Sequence, residues 1–234
     1  MRQLLIFLIS LLFGCTIAPD KNQLTIVLSG DPKNLDPAHA TDVRSGQVTA
    51  FMYDNLVHYG SGSELNLGLA KFWEISDDGL KYTFILKDSV QFQNGIFLKS
   101  NHIKSSFERI LNPKISSRRD WLFKDVIGAK AYQNGETDHV AGFKVENDSI
   151  FHIKLLKPFA PFLGFLAMPS ASIVLEEYGK LIGTGPWIQK EWVRDGHFLF
   201  TANLNYFAGK PNLDKLKIRI LPEALPRVAE FVTG

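Results

Sequence analysis

The sequence lacks the cysteines and the charge excess that would assign it at once to several protein classes. Cys15 is the only cysteine among 234 residues, so the chain cannot build a disulfide framework or a cysteine-rich metal site. The 26 Lys and Arg residues nearly balance the 24 Asp and Glu residues, which gives no electrostatic reason to expect a nucleic-acid partner. Because 45% of the residues are apolar, the sequence predicts a folded protein with one large core or two modest cores.

The sequence also lacks the short motifs of nucleotide binding and hydrolysis. Neither G-x-G-x-x-G nor G-x-S-x-G occurs, and no glycine-lysine pair is followed by serine or threonine. The six histidines are scattered without H-x-x-x-H spacing, which favours structural or surface roles over metal ligation. Asp31 and Asp36 share one loop and raise the alternative of acid–base work or cation binding, but the proline after each favours turns. We therefore predict no enzyme activity, no cofactor and no metal site.

The first fifteen residues, MRQLLIFLISLLFGC, have the pattern of an export signal. Arg2 supplies one positive charge, and the apolar run over residues 4–13 is too short to span a bilayer as a mature helix. The last four residues, Leu-Phe-Gly-Cys, resemble a bacterial lipobox, which implies cleavage before Cys15 and lipidation of its thiol. The sequence therefore predicts a signal peptide over residues 1–14 and a lipid anchor at Cys15. The alternative is a free thiol in an uncleaved apolar tail.

Alternating hydrophobicity predicts several strands, which are separated by turn sequences. Strands are predicted at residues 23–28, on either side of an Asp-Gly turn within 69–95, in a hairpin over 142–156, on either side of Asp195-Gly196, and at 215–222. Within the second group, Tyr82, Phe84 and Leu86 alternate with less apolar residues, as expected for a strand that packs one face on a core.

Helical spacing predicts four helices, the last of which begins within residues 223–234, and excludes a fifth. Apolar residues recur at helical intervals over residues 43–59, and Ser100 is predicted to cap a helix that ends before Pro113. A further helix is predicted over residues 119–135. Three prolines within residues 158–178 exclude one continuous helix there and predict short buried segments.

Residues 183–187, Gly-Thr-Gly-Pro-Trp, form the densest cluster of glycine and proline in the chain. Because no nucleotide-binding or hydrolase motif surrounds them, they predict a tight turn that starts a strand rather than a phosphate loop.

Four segments together resemble family 5 of the solute-binding proteins of bacterial ABC importers, the group that binds oligopeptides and dipeptides. The first segment comprises residues 30–42 and 53–60, with its Leu-Asp-Pro loop. The second is residues 69–113, with its tryptophan-bearing strand, Asp-Gly turn, Asn-Gly turn and helix. The third comprises residues 183–192 and 203–222, and the fourth is the lipobox. Their order and spacing cover almost the whole chain after the leader.

The resemblance implies an α/β fold of the periplasmic-binding-protein type, class II. It implies a discontinuous lobe I over residues 15–53 and 158–234, and a small inserted lobe II over residues 54–157. A C-terminal lobe that family members carry would be missing from these residues. The implied function is that of an extracytoplasmic receptor that delivers peptides to membrane permease subunits. A nickel complex, haem or another small solute is an alternative ligand, and a truncated, non-binding remnant or a structural envelope lipoprotein is an alternative function.

The resemblance also places candidate ligand-binding residues in this chain. Thr41, Asp42 and Val43 match the peptide-facing stretch after the Leu-Asp-Pro loop. An extended peptide would pair its backbone with strand-like edges there, and closure between lobes would bury it. Trp121 is a further candidate for a wall of the cleft, with core packing as its alternative role.

Overall fold

Two four-stranded sheets and their helices dominate the structure, a computed structural model that describes residues 21–233. The predicted signal peptide over residues 1–14 and the predicted lipidation site Cys15 lie outside the described residues.

The described residues form twelve strands and five α-helices. The strands are β1 Gln23–Leu28, β2 Val57–Tyr59, β3 Leu65–Leu67, β4 Ala70–Ile75, β5 Lys81–Leu86, β6 Phe143–Val145, β7 Ile150–Lys154, β8 Leu175–Glu177, β9 Lys180–Ile182, β10 Trp187–Val193, β11 His197–Ala202 and β12 Lys215–Ile220. The helices are α1 Val43–Met52, α2 Ser100–Leu111, α3 Ala129–Gln133, α4 Phe162–Phe165 and α5 Ala224–Thr233. Short 3-10 turns lie at Pro37–His39, Asp120–Phe123 and Pro169–Ala171.

The first sheet has the order β1-β12-β11-β10 and joins the beginning of the described chain to its end. β1 pairs with β12 in parallel, with Gln23 opposite Lys215, while the other two pairs are antiparallel. In β12 the alternate residues Leu216, Ile218 and Ile220 are buried. They pack with the buried side chains of β11 and α1, and we call this cluster the first core.

The second sheet is antiparallel throughout and has the order β4-β5-β7-β6. Helix α2 packs on one face because its apolar residues Ile103, Phe107 and Ile110 recur at helical spacing and are buried. The ring of Phe107 lies 4.6 Å from that of Phe123 and 5.7 Å from that of Phe143. Side chains of residues 159–173 pack against the same cluster, which we call the second core. The lobe boundaries expected from the family resemblance stay a prediction.

Most predicted strands and turns are confirmed, but the predicted helix over residues 43–59 ends early. Helix α1 stops at Met52 because Tyr53 is extended, with φ −131° and ψ 150°. The Asn55 side chain donates to the carbonyls of Leu166 and Met168 at 2.9 and 2.7 Å, which fixes a non-helical path. Leu56 fits the helical spacing of the sequence, but it is buried in the second core outside the helix.

The predicted helix over residues 119–135 is also wrong, since two short helical segments replace it. They are separated at Gly128, which has φ +81° and leaves no space for a Cβ atom next to Ala141. The cap of α2 differs as well, because Lys99 rather than Ser100 occupies the N-cap position. The Lys99 amide donates to Nδ1 of His102 at 3.0 Å, while the Ser100 hydroxyl donates to the carbonyl of Asn147.

The glycine-rich segment at residues 183–187 lies where the two cores meet. A Cβ atom on Gly183 would lie 1.9 Å from the carbonyl oxygen of Met52, and the Gly185 amide donates to that oxygen at 3.0 Å. Gln93 Nε2 donates to the carbonyls of Gly185 and Trp187, at 3.1 and 2.9 Å. The prediction of a tight turn that starts a strand is confirmed, since β10 begins at Trp187.

None of the helices in residues 21–233 combines the length and the apolar character that a bilayer-spanning segment needs.

Candidate functional site

The loop between β1 and α1 is fixed by its two aspartates. Asp31 accepts hydrogen bonds from Nε1 of Trp192, at 3.0 Å, and from the amide of Asp195. Asp36 caps the 3-10 turn by accepting from the Ala38 amide at 2.9 Å, and it also forms an ion pair with Arg109. Both carboxylates therefore hold the loop in place, which supports the turn interpretation of these residues over acid–base chemistry.

The three predicted ligand-proximal residues follow this loop directly. Thr41 is exposed, and Val43, the first residue of α1, is 77% exposed. Asp42 is the N-cap of α1, with Oδ1 accepting from the Ser45 amide at 3.1 Å and Oδ2 from its hydroxyl at 2.5 Å. The amides of Thr41 and Asp42 donate to no other group among residues 21–233. Two backbone donors without a partner among the described residues therefore lie in a stretch whose residues Thr41 and Val43 are exposed.

The pKa of Asp42 reflects its role as a cap. Burial alone would raise this pKa, but the hydrogen bonds from the Ser45 hydroxyl and amide lower it below its usual value. The carboxylate is therefore ionised at neutral pH and complements the positive end of α1.

A segment that precedes Trp121 lies against the same loop. The Ser117 hydroxyl donates to the carbonyl of Ala38 at 2.5 Å, and Nη2 of Arg119 donates to the carbonyl of Thr41 at 3.1 Å. Trp121 is two residues further on, 36% exposed, with its ring edge-on to that of Phe165 at 5.1 Å. Arg119 thus contacts the stretch of Thr41, and Trp121 follows Arg119 by two residues in the chain. We call Thr41, Asp42, Val43, Arg119 and Trp121 together the Thr41 surface.

A half-buried carboxylate near the end of α1 was missed in the sequence. Asp54 accepts hydrogen bonds from the Thr184 hydroxyl at 2.7 Å and from the Tyr206 hydroxyl at 3.0 Å. Burial raises its pKa, and these two hydrogen bonds oppose the shift. With His58 and other residues, Asp54 lines a pocket of about 310 Å³. The partners lie more than a hundred residues further along the chain, so no local pattern could identify this group.

Metal ligation has no support in the described part of the chain. Among residues 21–233, no group of three or more His, Cys, Asp or Glu side chains converges in a way that could hold a metal ion. His152, the buried histidine of β7, contacts the Thr83 hydroxyl at 3.0 Å and the Glu146 carboxylate at 2.6 Å. Its two ring nitrogens are therefore both engaged within the second sheet.

Comparison with protein families identifies the chain. A family model described as bacterial extracellular solute-binding proteins, family 5 Middle, matches residues 64–234, well over half of the sequence. The chain belongs to family 5 of the bacterial extracellular solute-binding proteins. The family resemblance is confirmed, and the match contains the second and third of the four sequence segments, whereas the lipobox stays a prediction.

Individual relatives support the assignment and the fold of this family 5 chain. Di/tripeptide-binding protein 4 of Pseudomonas aeruginosa is 30% identical over 243 residues, which cover 93% of the chain and 44% of that protein. The structure of the Escherichia coli murein tripeptide binding protein MppA matches with a TM-score of 0.83 and 24% identity, over 91% of the chain and 44% of MppA. NikZ from Campylobacter jejuni, solved in complex with Ni(L-His), matches with a TM-score of 0.78 and 25% identity, over 92% of the chain and 42% of NikZ.

These matches define what the family 5 chain contains. It has the α/β fold of periplasmic solute-binding proteins, and it spans less than half the length of the relatives that it matches.

Proposed function

We propose that the chain is the solute-binding component of an ABC importer and that its ligands are short peptides, which it passes to permease subunits in the membrane. Membership of family 5 supports this proposal, as does the similarity to proteins named for binding dipeptides and tripeptides. The observation that carries it within the molecule is the backbone at Thr41 and Asp42, whose amides have no partner among residues 21–233.

The chemistry of this backbone suits a peptide in extended conformation. Carbonyl groups of the ligand would accept hydrogen bonds from the amides of Thr41 and Asp42, in the way that an added strand pairs with an edge. Such pairing depends on the ligand backbone and is largely independent of its side chains. Trp121 would cover one side of the ligand with an aromatic face.

The proposal extends to the organisation of the whole receptor. Lobe I would comprise residues 15–53 and 158–234, and lobe II residues 54–157. A further lobe would close over the Thr41 surface and exclude water. The export signal and the lipobox support lipid anchoring at Cys15 on the extracytoplasmic face of the membrane.

A nickel complex is the second candidate ligand, because NikZ matches the chain and was solved with Ni(L-His). Such a chelate would bring its own metal ligands, so the chain would only need to hold its organic part. The binding test distinguishes the two candidates when both ligands are offered separately.

The test is calorimetry of the full chain with trialanine, with dialanine and with Ni(L-His), combined with NMR spectra of the backbone amides. We expect trialanine to bind and to move the amide signals of Thr41 and Asp42. Trp121→Ala should weaken this binding, whereas Phe72→Ala, which truncates a half-exposed aromatic of β4 outside the Thr41 surface, should not. Binding of none of the three ligands would reject short peptides and Ni(L-His) as ligands of this chain and favour a non-binding or structural lipoprotein.

A further inference from the structure

We infer that Arg119 is the binding site for a carboxylate of the ligand, next to the carbonyl of Thr41. This inference rests on the proposed function and names one chemical group that the ligand must carry. It depends on the hydrogen bonds of Arg119, on the absence of a counter-charge and on the position of the side chain in the Thr41 surface.

Most donors of the Arg119 guanidinium are unused. Nη2 donates to the Thr41 carbonyl at 3.1 Å, and this is the only hydrogen bond of the group to residues 21–233. Nε is enclosed by protein and has no partner. Nη1 also lacks a partner among the described residues, but it is not enclosed. The half-buried cation therefore has a donor that a bound group can reach.

What distinguishes Arg119 among the arginines of residues 21–233 is its enclosed Nε without a partner, since Arg194 and Arg227 also bind carbonyl groups and have no ion pair. Arg109 is paired with both Asp36 and Glu176, and Arg219 is paired with Glu230. Arg119 has no carboxylate within 4.0 Å among residues 21–233. A guanidinium keeps its charge at all accessible pH values, so burial cannot be relieved by loss of a proton.

The acidic groups closest in sequence and along the loop are already engaged. Asp36 binds Arg109, and Asp42 caps α1 through Ser45. Asp120, the neighbour of Arg119, accepts from Nε2 of Gln133 at 3.0 Å. The described chain thus leaves the positive charge of Arg119 without a counter-ion.

A carboxylate fits this site better than a neutral group does. The planar guanidinium offers parallel N–H groups that match two carboxylate oxygens, and a partly buried pair is only weakly screened by salt. A peptide whose backbone runs along Thr41 and Asp42 could place either its C-terminal carboxylate or an acidic side chain at Arg119. The shared chemistry is a carboxylate next to an extended peptide backbone.

Calorimetry with three probes distinguishes a C-terminal carboxylate from the carboxylate of an acidic side chain. The full chain is titrated with trialanine, with trialanine amide and with the amide of Ala-Glu-Ala, and the same titrations are repeated on Arg119→Gln and on Arg118→Gln. Arg118 is an exposed arginine next in sequence and serves as the matched control. We expect Arg119→Gln to weaken trialanine binding by about tenfold or more, and Arg118→Gln to change it by less than about twofold.

The amide probes provide a test that does not depend on any variant folding. Trialanine amide should bind the wild-type chain about tenfold more weakly than trialanine if the C-terminus occupies the site. Recovery of affinity with Ala-Glu-Ala amide would show that an acidic side chain can take its place. Equal binding of trialanine, its amide and the Ala-Glu-Ala amide by the wild-type chain, or a preference for the carboxylate-bearing probes that Arg119→Gln leaves unchanged, would overturn the inference and leave the peptide-binding function intact.

If no peptide binds, the proposed function is rejected, and an NMR measurement then tests the carboxylate site at Arg119 by itself. The enclosed Nε–H of Arg119 gives an NMR signal that is assigned by its loss in Arg119→Gln. Sodium acetate should shift this signal with saturation, whereas sodium chloride at the same ionic strength should not. An identical response to both salts would reject a carboxylate site at Arg119.

Discussion

Arg109 and Asp36 form an ion pair with two parallel hydrogen bonds, which joins the helix of the second core to the loop that follows the first strand. Nη1 lies 2.8 Å from Oδ1 and Nη2 lies 2.7 Å from Oδ2, and both side chains are only 16% exposed. The pair holds the loop that leads to Thr41 against helix α2. The position of the Thr41 surface therefore depends on a contact between residues that are far apart in sequence.

We predict that this pair stabilises the fold by more than an exposed pair does. A double-mutant cycle with Arg109→Met and Asp36→Asn should give a coupling free energy of about 1.5–3 kcal/mol, measured by urea unfolding. The same cycle for Lys71 and Asp88, a pair at 2.7 Å whose side chains are 42% and 76% exposed, should give about 1 kcal/mol or less. Equal coupling in both cycles would contradict the structural role of the Arg109 pair.

The close approach at residues 183–185 predicts that these glycines tolerate no side chain. In Gly183→Ala and Gly185→Ala the new methyl group would collide with the backbone of Met52, so each should lower the free energy of unfolding by about 1–3 kcal/mol. Gly46→Ala is the control, since its Cβ atom would approach nothing closer than 3.4 Å and would lie within α1. That substitution should raise stability by about 0.5–1 kcal/mol. Urea unfolding of all three variants checks the prediction.

The cap of α1 predicts a pH-dependent loss of stability at low pH. Because the folded-state pKa of Asp42 lies below the usual value of 3.8, its ionised form favours the folded state. That contribution is present above 3.8 and is lost as the pH falls through the lower folded-state pKa. Asp42→Ala should cost about 1 kcal/mol at neutral pH and less in strong acid.

Asp42→Asn is the matched variant, because asparagine can cap a helix without carrying a charge. Its stability relative to Asp42→Ala should not depend on pH in this range. Thermal unfolding between pH 2 and pH 7, followed by circular dichroism, measures both differences. A constant difference between wild type and Asp42→Ala across the range would show that the charge contributes nothing.

The raised pKa of Asp54 predicts that stability depends on pH in the opposite direction. Its folded-state pKa is raised above 3.8 by burial, so protonation favours the folded state, and stability falls as the pH rises from 3.8 through the raised value. The Asp54→Asn variant has no titratable side chain at this position, so this contribution to its stability does not change with pH. The cost of the substitution should therefore shrink, or change sign, as the pH increases toward about 7.

The Thr184→Val variant tests the hydrogen bond from Thr184 to Asp54. It removes one hydrogen bond that stabilises the ionised carboxylate while it keeps the shape of a fully buried side chain. Stability should then fall more steeply with rising pH than in the wild-type chain. Urea unfolding at a series of pH values tests both variants, and parallel curves for Thr184→Val and wild type would argue against the hydrogen bond.

The sequence alone predicted the strands and helices whose hydrophobic pattern is local. The alternation of Tyr82, Phe84 and Leu86 predicted β5, because a strand with one buried face has a period of two residues. The stripe of Ile103 and Phe107 predicted α2 for the corresponding reason at helical spacing.

Elements and site residues that depend on distant partners could not be predicted in the same way. Leu56 continues the helical spacing of α1, but the hydrogen bonds of Asn55 to residues 111 and 113 positions away end the helix before it. Arg119 has no distinctive sequence pattern, since its hydrogen bond to the Thr41 carbonyl and its lack of a carboxylate partner among the described residues follow from the fold. Only the family resemblance pointed to the region of Thr41, and the contacts around it required the fold.

The parallel pairing of β1 with β12 also determines the order in which the molecule can mature during synthesis. β1 is among the first described residues to leave the ribosome, yet its pairing partner is completed only at Ile220. The second sheet, by contrast, draws all its strands from residues 70–154. Formation of the first sheet therefore requires nearly the whole described chain, whereas formation of the second sheet does not.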